Sequence, residues 1–441
     1  MKAFTFKRGA HPNDCKKSTM DQPIKDLKPS DTMIYPMVQH IGAPCTPAVK
    51  VGERVVIGQI IGRSDAFVSA PIHSTVSGKV VAVEKRLHPN GTNVESVIVE
   101  NDFKDEKSEL IHEYTDIESY SRNDMLKLIK EAGVVGLGGA AFPTHIKLNP
   151  PADKKTDTLI VNGAECEPYL TSDYRVMTET PVLIYEGIKL IMKILGVKKC
   201  LIGIEDNKPK AIKIMKKISD NYPGTAVCPM RTKYPQGSEK HLIKALTSRE
   251  VPSGGLPADC GVIVCNIDTC TAIYKAIKYH SPIIDRIITV SGKAVKNPSN
   301  FRVRIGTCFD DVLKEAGFDE EKAKKIIMGG PMMGTAQSTL NVPTIKATSA
   351  ILALTGDEIN LENESPCARC GKCVAHCPMG LMPVQLNAYS KIDDADTCIK
   401  YNIKDCIECG VCSFICPCNN HITQRIKLMK RKIAASARKK N

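Results

Sequence analysis

Two twelve-residue phrases constrain this 441-residue chain more than anything else in it. CARCGKCVAHCP at 367–378 and CIECGVCSFICP at 406–417 place cysteine at four equivalent positions and proline after the fourth. The spacing is Cys367-x2-Cys370-x2-Cys373-x3-Cys377-Pro378, then Cys406-x2-Cys409-x2-Cys412-x3-Cys416-Pro417, a true internal repeat. Three cysteines at two-residue gaps wrap one turn of backbone around a compact iron–sulfur cube. The fourth, turned away by the proline, ligates the other cube. The spacing therefore predicts two [4Fe–4S] clusters. One is held by Cys367, Cys370, Cys373 and Cys416, the other by Cys406, Cys409, Cys412 and Cys377. Structural zinc uses CxxC pairs or mixed Cys/His sets, which do not account for two copies of this run. No CxxCH occurs, so c-type haem is excluded. Cys398 and Cys418 fall outside the pattern and are read as non-ligands, Cys418 being the one rival ligand. The remaining nine cysteines are scattered singly and read as small buried hydrophobes.

Nineteen cysteines suit a reducing compartment only as metal or redox ligands. The start, MKAFTFKRGAHPNDCKK, lacks the apolar middle of a signal peptide. No stretch approaches the ~18 uncharged apolar residues of a membrane span. A cytoplasmic protein with no transmembrane segment of its own is expected. The formal net charge is +13, but eight positive charges lie on Arg425, Lys427, Lys430, Arg431, Lys432, Arg438, Lys439 and Lys440. No acid occurs after Cys416, so the basicity is largely local. A basic tail of this kind suits an anionic membrane surface, an acidic partner or a frayed end. With 5% aromatics and no tryptophan, nucleic acid is not an expected partner.

Along the chain, residues 1–32 read as an irregular arm. Residues 33–101 alternate apolar and polar positions between glycine turns, as in VKVGERVVIGQIIG and VSAPIHSTVSGKVVAVE. These phrases resemble the halves of a lipoyl/biotinyl-type barrel-sandwich, yet no lysine occurs between Val51 and Gly78 to carry a prosthetic group. A structural or docking role is expected for it. After an acidic linker, residues 115–285 alternate short β-branched strands (TLIVNGAE, KCLIGIED, GVIVCNID) with helical segments, which predicts an α/β domain. Its first helix is expected within NDMLKLIKEAGVVG, capped by Asn123 or Asp124 and closed by Gly133. Residues 286–355 read as a small α+β module, 361–425 as the cluster domain and 426–441 as the basic tail.

The stretch GVVGLGGAAFPTHIK, residues 133–147, is the second chemical signal. Gly136, Gly138 and Gly139 let backbone N–H groups approach a phosphate, and Lys147 adds a charge. It lacks the GK[ST] of a Walker A loop and is not a GxGxxG placed directly after a strand. The next strand runs into NGAECEPYLTSDYR, which sets Asn162, Glu165 and Glu167 at a strand's carboxyl end, where α/β sheets bind ligands.

GLGGAAFPTHIK resembles the GRGGAGFPTGLK flavin loop of the NADH-binding, FMN-containing subunit of respiratory complex I, and NGAECEP resembles its NADEGEP segment. The order of parts resembles the C-subunit family of Rnf complexes, ferredoxin:NAD oxidoreductases that pump ions across bacterial membranes. That resemblance covers nearly the whole chain. It implies a multidomain α/β and α+β fold. The parts are a barrel-sandwich β module, a Rossmann-like FMN/NAD-binding α/β domain, a β-grasp-like module and a C-terminal helical ferredoxin-like domain with two [4Fe–4S] clusters. The implied cofactors are FMN, NAD(H) and the two clusters. The implied partners are other subunits of a membrane electron-transport complex, including a ferredoxin-like iron–sulfur subunit, with this chain peripheral on the cytoplasmic face.

Carried over residue by residue, the resemblance implies that Gly136, Gly138, Gly139, Ala140 and Lys147 hold the FMN phosphate and ribityl groups. Asn162 and Glu165 lie along the flavin, Phe142 stacks near the nicotinamide, and Glu167 sits by the nicotinamide or its ribose. QGSEKHL and CNIDT add Gly237, Glu239 and Asn266. The chain departs from the family pattern at Leu137 (arginine there), Ala164 (aspartate), Cys166 (glycine) and Ser238 (glutamate). No general acid or base is required, because hydride passes between cofactors. Rival readings are a cobalamin-reductase-type NADH oxidoreductase of a microcompartment and a flavin-free relay resembling the A-subunit of the sodium-pumping quinone reductase.

Overall fold

The computed structural model describes residues 3–114, 116–360 and 362–438. The organising element is a parallel sheet of four strands, Thr158–Gly163, Lys199–Glu205, Thr225–Met230 and Val262–Asn266. In space the order is third, second, first, fourth. The strand sequences are near-continuous apolar runs because both faces are buried. Leu159, Val161, Ile202 and Ile263 pack on one side with the helices Pro181–Leu195 and Ile267–Lys278. Ile160, Leu201 and Val264 pack on the other with Leu242 and Leu246 of the helix Glu239–Thr247. The strand order reverses at the neighbouring first and fourth strands, where Asn162 and Asn266 are register partners. A crevice outside the carboxyl ends is the expected ligand position at such a switch.

The first helix of this domain is Arg122–Glu131, and its cap is Ser121 rather than Asn123 or Asp124. Ser121 Oγ accepts from the Asp124 N–H and the Asp124 carboxylate accepts from the Ser121 N–H, a reciprocal capping box. Gly133 follows the helix end at φ +63°, as a closing glycine should.

The barrel-sandwich module is built from a four-stranded sheet and a three-stranded sheet, closing on Met33, Tyr35, Val55, Ile61, Val80, Val97 and Val99. Gly78 is required where it stands, since a Cβ would lie 1.9 Å from the Glu100 carbonyl oxygen. The next module is a six-stranded mixed sheet containing Asp285–Ser291, Ser299–Arg304 and Ala350–Leu354, with the helix Phe309–Glu315 packed on it. The buried Lys346 ammonium donates to the Pro71 carbonyl (2.7 Å) and the Gly133 carbonyl (2.8 Å), so one side chain ties three modules.

The arm is not irregular throughout. Ile24–Asp26 is a strand that pairs in parallel with Ser299–Arg304 at an edge of the six-stranded sheet. Phe4 and Ala10 bridge to Met230 and Tyr234. Lys16 is 3% exposed, and its ammonium donates to the carbonyl oxygens of Glu165 (3.0 Å), Glu167 (2.8 Å) and Leu170 (2.5 Å). The arm thus covers strand edges and fixes the loop after the first parallel strand.

In the cluster domain the sequence repeat is also a conformational one. Arg369 and Gly371 have φ of +53° and +74°, and the equivalent Glu408 and Gly410 have +57° and +83°. A short helix follows in each copy, Lys372–His376 and Val411–Phe414. The basic tail does not begin at 426, because the helix Ile422–Arg438 runs through that point. Ile422, Ile426 and Met429 lie in the domain core, an apolar stripe that the interleaved charges hide in sequence. Arg425 pairs with Glu364 (2.6 Å), Lys430 with Glu408 (2.6 Å) and Lys432 with Asp393. Lys439, Lys440 and Asn441 lie outside the described residues. Among the described residues no helix is long and apolar enough to cross a membrane.

Candidate functional site

The glycine loop lies over the switch point of the parallel sheet. A Cβ on Gly138 would meet the Asn266 side chain at 3.2 Å, so loop and strand end are in close contact. Gly139 has φ +117° with open space where a Cβ would lie, and Gly138, Gly139 and Ala140 are exposed. The loop closes on itself through Gly136 N–H to the Phe142 carbonyl (2.9 Å) and Ala141 N–H to the Gly136 carbonyl (3.2 Å). Among the described residues, no partner takes the N–H of Gly138, Gly139 or Ala140. Successive free N–H groups on an exposed turn form an anion-binding nest, and such a nest fits the phosphate of FMN. Phe142 is half-buried beside it.

Several expected residues are joined to one another near the carboxyl ends of the first and fourth parallel strands. Lys147, in the short helix Thr144–Lys147, donates to Glu239 (3.0 Å) and to the Val264 carbonyl (3.1 Å). Burial works against its charge, but Glu239 and Cys265 outweigh it and raise its pKa. Asn162 donates to the Gly237 carbonyl (2.8 Å), and Gly237 N–H donates to the Cys166 thiol (3.3 Å). Asn266 caps the following helix through Asp268 and Thr269 and donates to the Asp173 carboxylate (2.7 Å).

Two further expected residues, Glu165 and Glu167, are each held by backbone N–H groups. The Glu165 carboxylate accepts from the N–H groups of Asp173 (2.7 Å) and Tyr174 (3.3 Å), capping the helix Ser172–Glu179 from within the protein. The Glu167 carboxylate accepts from Met332 and Met333 N–H, both at 3.0 Å, and lies 3.4 Å from the Tyr234 hydroxyl. Burial raises its pKa to about 7. It faces the cluster domain, because Tyr234 donates to the Cys409 carbonyl at 2.8 Å.

Both thiol sets assemble across the repeat. Cys373 is raised by burial and then by the thiols of Cys367, Cys416 and Cys370. Cys409 and Cys412 are each pushed up to about 12, first by burial; Cys406 and Cys377 add to both. Cys377, Cys406, Cys409 and Cys412 line one cavity with Leu381, Leu386 and Ile426. Among the described residues no three His, Cys, Asp or Glu side chains converge on a single-ion position. The thiols of each set are close enough to oppose one another's charge, which fits a cube bridging them. Cys418 neither lines that cavity nor figures among the thiols acting on Cys373. Cys398 is buried among helices.

The sets differ in exposure. Cys367 and Cys370 are exposed, whereas Cys377, Cys409 and Cys412 are buried. The buried set abuts the α/β domain through the apolar contact of Tyr234, Val411 and Ala10, with Cys166 and Met332 packed on it. The helix that begins with Glu239 also places His241 Nε2 3.1 Å from the Pro378 carbonyl oxygen. Sequence reasoning missed Lys16, Asp173, Tyr234, Thr269 and Arg286, whose roles depend on partners far away in the chain.

Residues 129–275 match the family model described as the Nuo51 FMN-binding domain, and residues 4–104 the RnfC barrel sandwich hybrid domain. Residues 287–336 match the SLBB domain, and 359–417 the 4Fe-4S dicluster domain. The C subunit of the proton-translocating ferredoxin:NAD(+) oxidoreductase complex of Clostridium ljungdahlii is 48% identical over 429 residues, covering 97% of this chain and 93% of that one. The C subunit of the Na(+)-translocating ferredoxin:NAD(+) oxidoreductase complex of Acetobacterium woodii is 46% identical over 441 residues, covering 100% of both. The C subunit of the ion-translocating oxidoreductase complex of Rhodobacter capsulatus is 38% identical over 406 residues, 91% of this chain and 78% of that one. The chain belongs to the C-subunit family of ion-translocating ferredoxin:NAD(+) oxidoreductase complexes.

Proposed function

We propose that this chain is the NAD(H)-reacting subunit of a membrane-bound, ion-pumping ferredoxin:NAD+ oxidoreductase, peripheral on the cytoplasmic face. FMN, when bound, accepts or gives hydride at the nicotinamide and exchanges single electrons with iron–sulfur clusters. The chain's own residues bind, orient and exclude water. Gly138, Gly139 and Ala140 offer free N–H groups to the phosphate. Lys147 is held by Glu239 beside them, and Asn162 and Asn266 form the floor at the switch point. Phe142 offers its ring towards the nicotinamide. We assign the finer folds as Rossmann-like for the α/β domain, β-grasp-like for the SLBB module and ferredoxin-like for the cluster domain.

The observation that carries this reading is the arrangement of the two thiol sets. The buried set touches the flavin domain through Tyr234 and Cys409, while the exposed set opens to solvent. A protein that wires a flavin to an external one-electron carrier requires this order. The exposed set would face an iron–sulfur partner subunit.

The test is anaerobic purification with iron and flavin counts, followed by NADH addition. We expect about eight irons, bound FMN, and bleaching of flavin and then cluster absorbance. Full iron without FMN would overturn the enzymatic reading in favour of a relay.

A further inference from the structure

Arg286 belongs to the strand Asp285–Ser291 of the six-stranded sheet, yet its side chain ends beneath the glycine loop of the neighbouring domain. The residue is 3% exposed. Its Nη2 donates to the Leu137 carbonyl at 2.9 Å, and Nη1 lies 3.8 Å from the Asp268 carboxylate. Nε and Nη1 have no hydrogen-bond partner among the described residues. Burying a guanidinium with two donors unsatisfied is costly, so the placement calls for a compensating role.

That role is visible in the loop. Leu137 N–H donates to Thr269 Oγ1 at 2.9 Å, and the Leu137 carbonyl is held by Arg286. The peptide groups on both sides of Leu137 are therefore pinned from outside the loop. In a trans peptide the C=O and the following N–H point in opposite directions. With the Leu137 oxygen drawn down onto Arg286, the Gly138 N–H is turned outward, to the side where Gly138, Gly139 and Ala140 are exposed. The loop itself has leucine where the flavin loop it resembles has arginine. Here a guanidinium approaches the same loop from below, out of another module.

We propose that Arg286 is a positioning residue for the phosphate end of the flavin site. It fixes the Leu137 carbonyl so that the free N–H groups of the loop converge on a phosphate, and it sets a buried positive charge beneath them. The proposal rests on the flavin reading above. It also makes phosphate binding by one domain depend on the packing of the next.

The test uses the full chain with its clusters, depleted of flavin and titrated with FMN or riboflavin by flavin fluorescence. Riboflavin has the same ring and ribityl chain and lacks the phosphate. Arg286→Met is expected to weaken FMN about tenfold or more while changing riboflavin less than about twofold. Arg286→Lys, which keeps a charge and a donor but not the guanidinium's reach, is expected to lose FMN affinity several-fold, less than Arg286→Met. Iron content and far-UV circular dichroism report folding. If Arg286→Met does not fold, Arg286→Lys decides, with a several-fold loss confined to FMN expected. Unchanged FMN affinity, or equal loss for both ligands, would overturn the proposal while leaving the flavin reading standing. A wild-type chain that binds neither ligand would overturn both.

Discussion

Tyr234 donates a hydrogen bond from its hydroxyl to the backbone carbonyl of Cys409 at 2.8 Å, joining the flavin domain to the loop of the buried thiol set. A donor on a ligand residue draws electron density from it and favours the reduced cluster. Tyr234→Phe should lower the midpoint potential of the buried cluster by tens of millivolts and leave the exposed cluster unchanged. It should also cost about 1–2 kcal/mol of stability through the unsatisfied carbonyl. A redox titration followed by electron paramagnetic resonance checks this, and equal shifts in both clusters would refute the local cause.

Exchange of the fourth cysteine is the sharpest structural claim about the repeat. Cys377 lines the cavity of Cys406, Cys409 and Cys412, while Cys416 is the thiol of the second repeat that acts on Cys373. Cys377→Ser should therefore disturb the buried cluster and leave about four irons in the exposed one. Cys416→Ser should do the reverse. Iron analysis with Mössbauer spectra distinguishes these outcomes from a chain in which each repeat holds its own cube.

The cysteine sets, the parallel sheet and the glycine loop are legible in the sequence, because each is built of short segments, a cysteine run, an apolar strand or a glycine turn, whose spacing or periodicity is local. The cap at Ser121 is not, because Asn123 and Asp124 are equally good capping types; the reciprocal bond between Ser121 and Asp124 decides it. The final helix is hidden because its apolar stripe is interrupted by lysines and arginines that pair with Glu364, Glu408 and Asp393. Arg286 and Lys16 carry no local signal, since what they touch lies 149 and up to 154 residues away.

Lys147 is expected to govern flavin retention, but through a pair. Lys147→Ala should weaken FMN about tenfold. Glu239→Gln, which frees the ammonium from its carboxylate, should weaken it less. Flavin fluorescence of the two variants side by side gives the ranking, and full FMN retention by Lys147→Ala would remove Lys147 from the phosphate site.

Asp173 links the site to pH. Its pKa stands at about 8, raised first by burial and then by the carboxylates of Glu165 and Asp268, against ~3.9 in an unfolded chain. Between those values the folded state holds a proton that the unfolded state has released. Stability from this group is complete at low pH and is lost as pH rises towards and through about 8. Asp173→Asn should flatten the decline of melting temperature between about pH 4 and about pH 8. Glu167, raised to about 7, has the same sign and should leave part of the slope. Identical slopes in variant and wild type would contradict the assignment.

Lys16 is a buried cation whose ammonium bonds to three carbonyl oxygens of one loop. Lys16→Ala should destabilise the folded chain by about 2–4 kcal/mol and loosen the segment from Glu165 to Leu170. Urea unfolding gives the first quantity and amide hydrogen exchange the second.

The woven arm also sets a timetable for biosynthesis. Asn300 donates to the carbonyl of Thr19 across 281 residues, and among the described residues the strand Ile24–Asp26 pairs only with Ser299–Arg304. The arm therefore waits for a strand synthesised 281 residues after Thr19, tens of seconds later at ~5–20 residues per second. Until then the Thr19 carbonyl and the strand Ile24–Asp26 lack these partners. A nascent chain cut short before the six-stranded sheet would hold a complete glycine loop on a domain that is not yet locked.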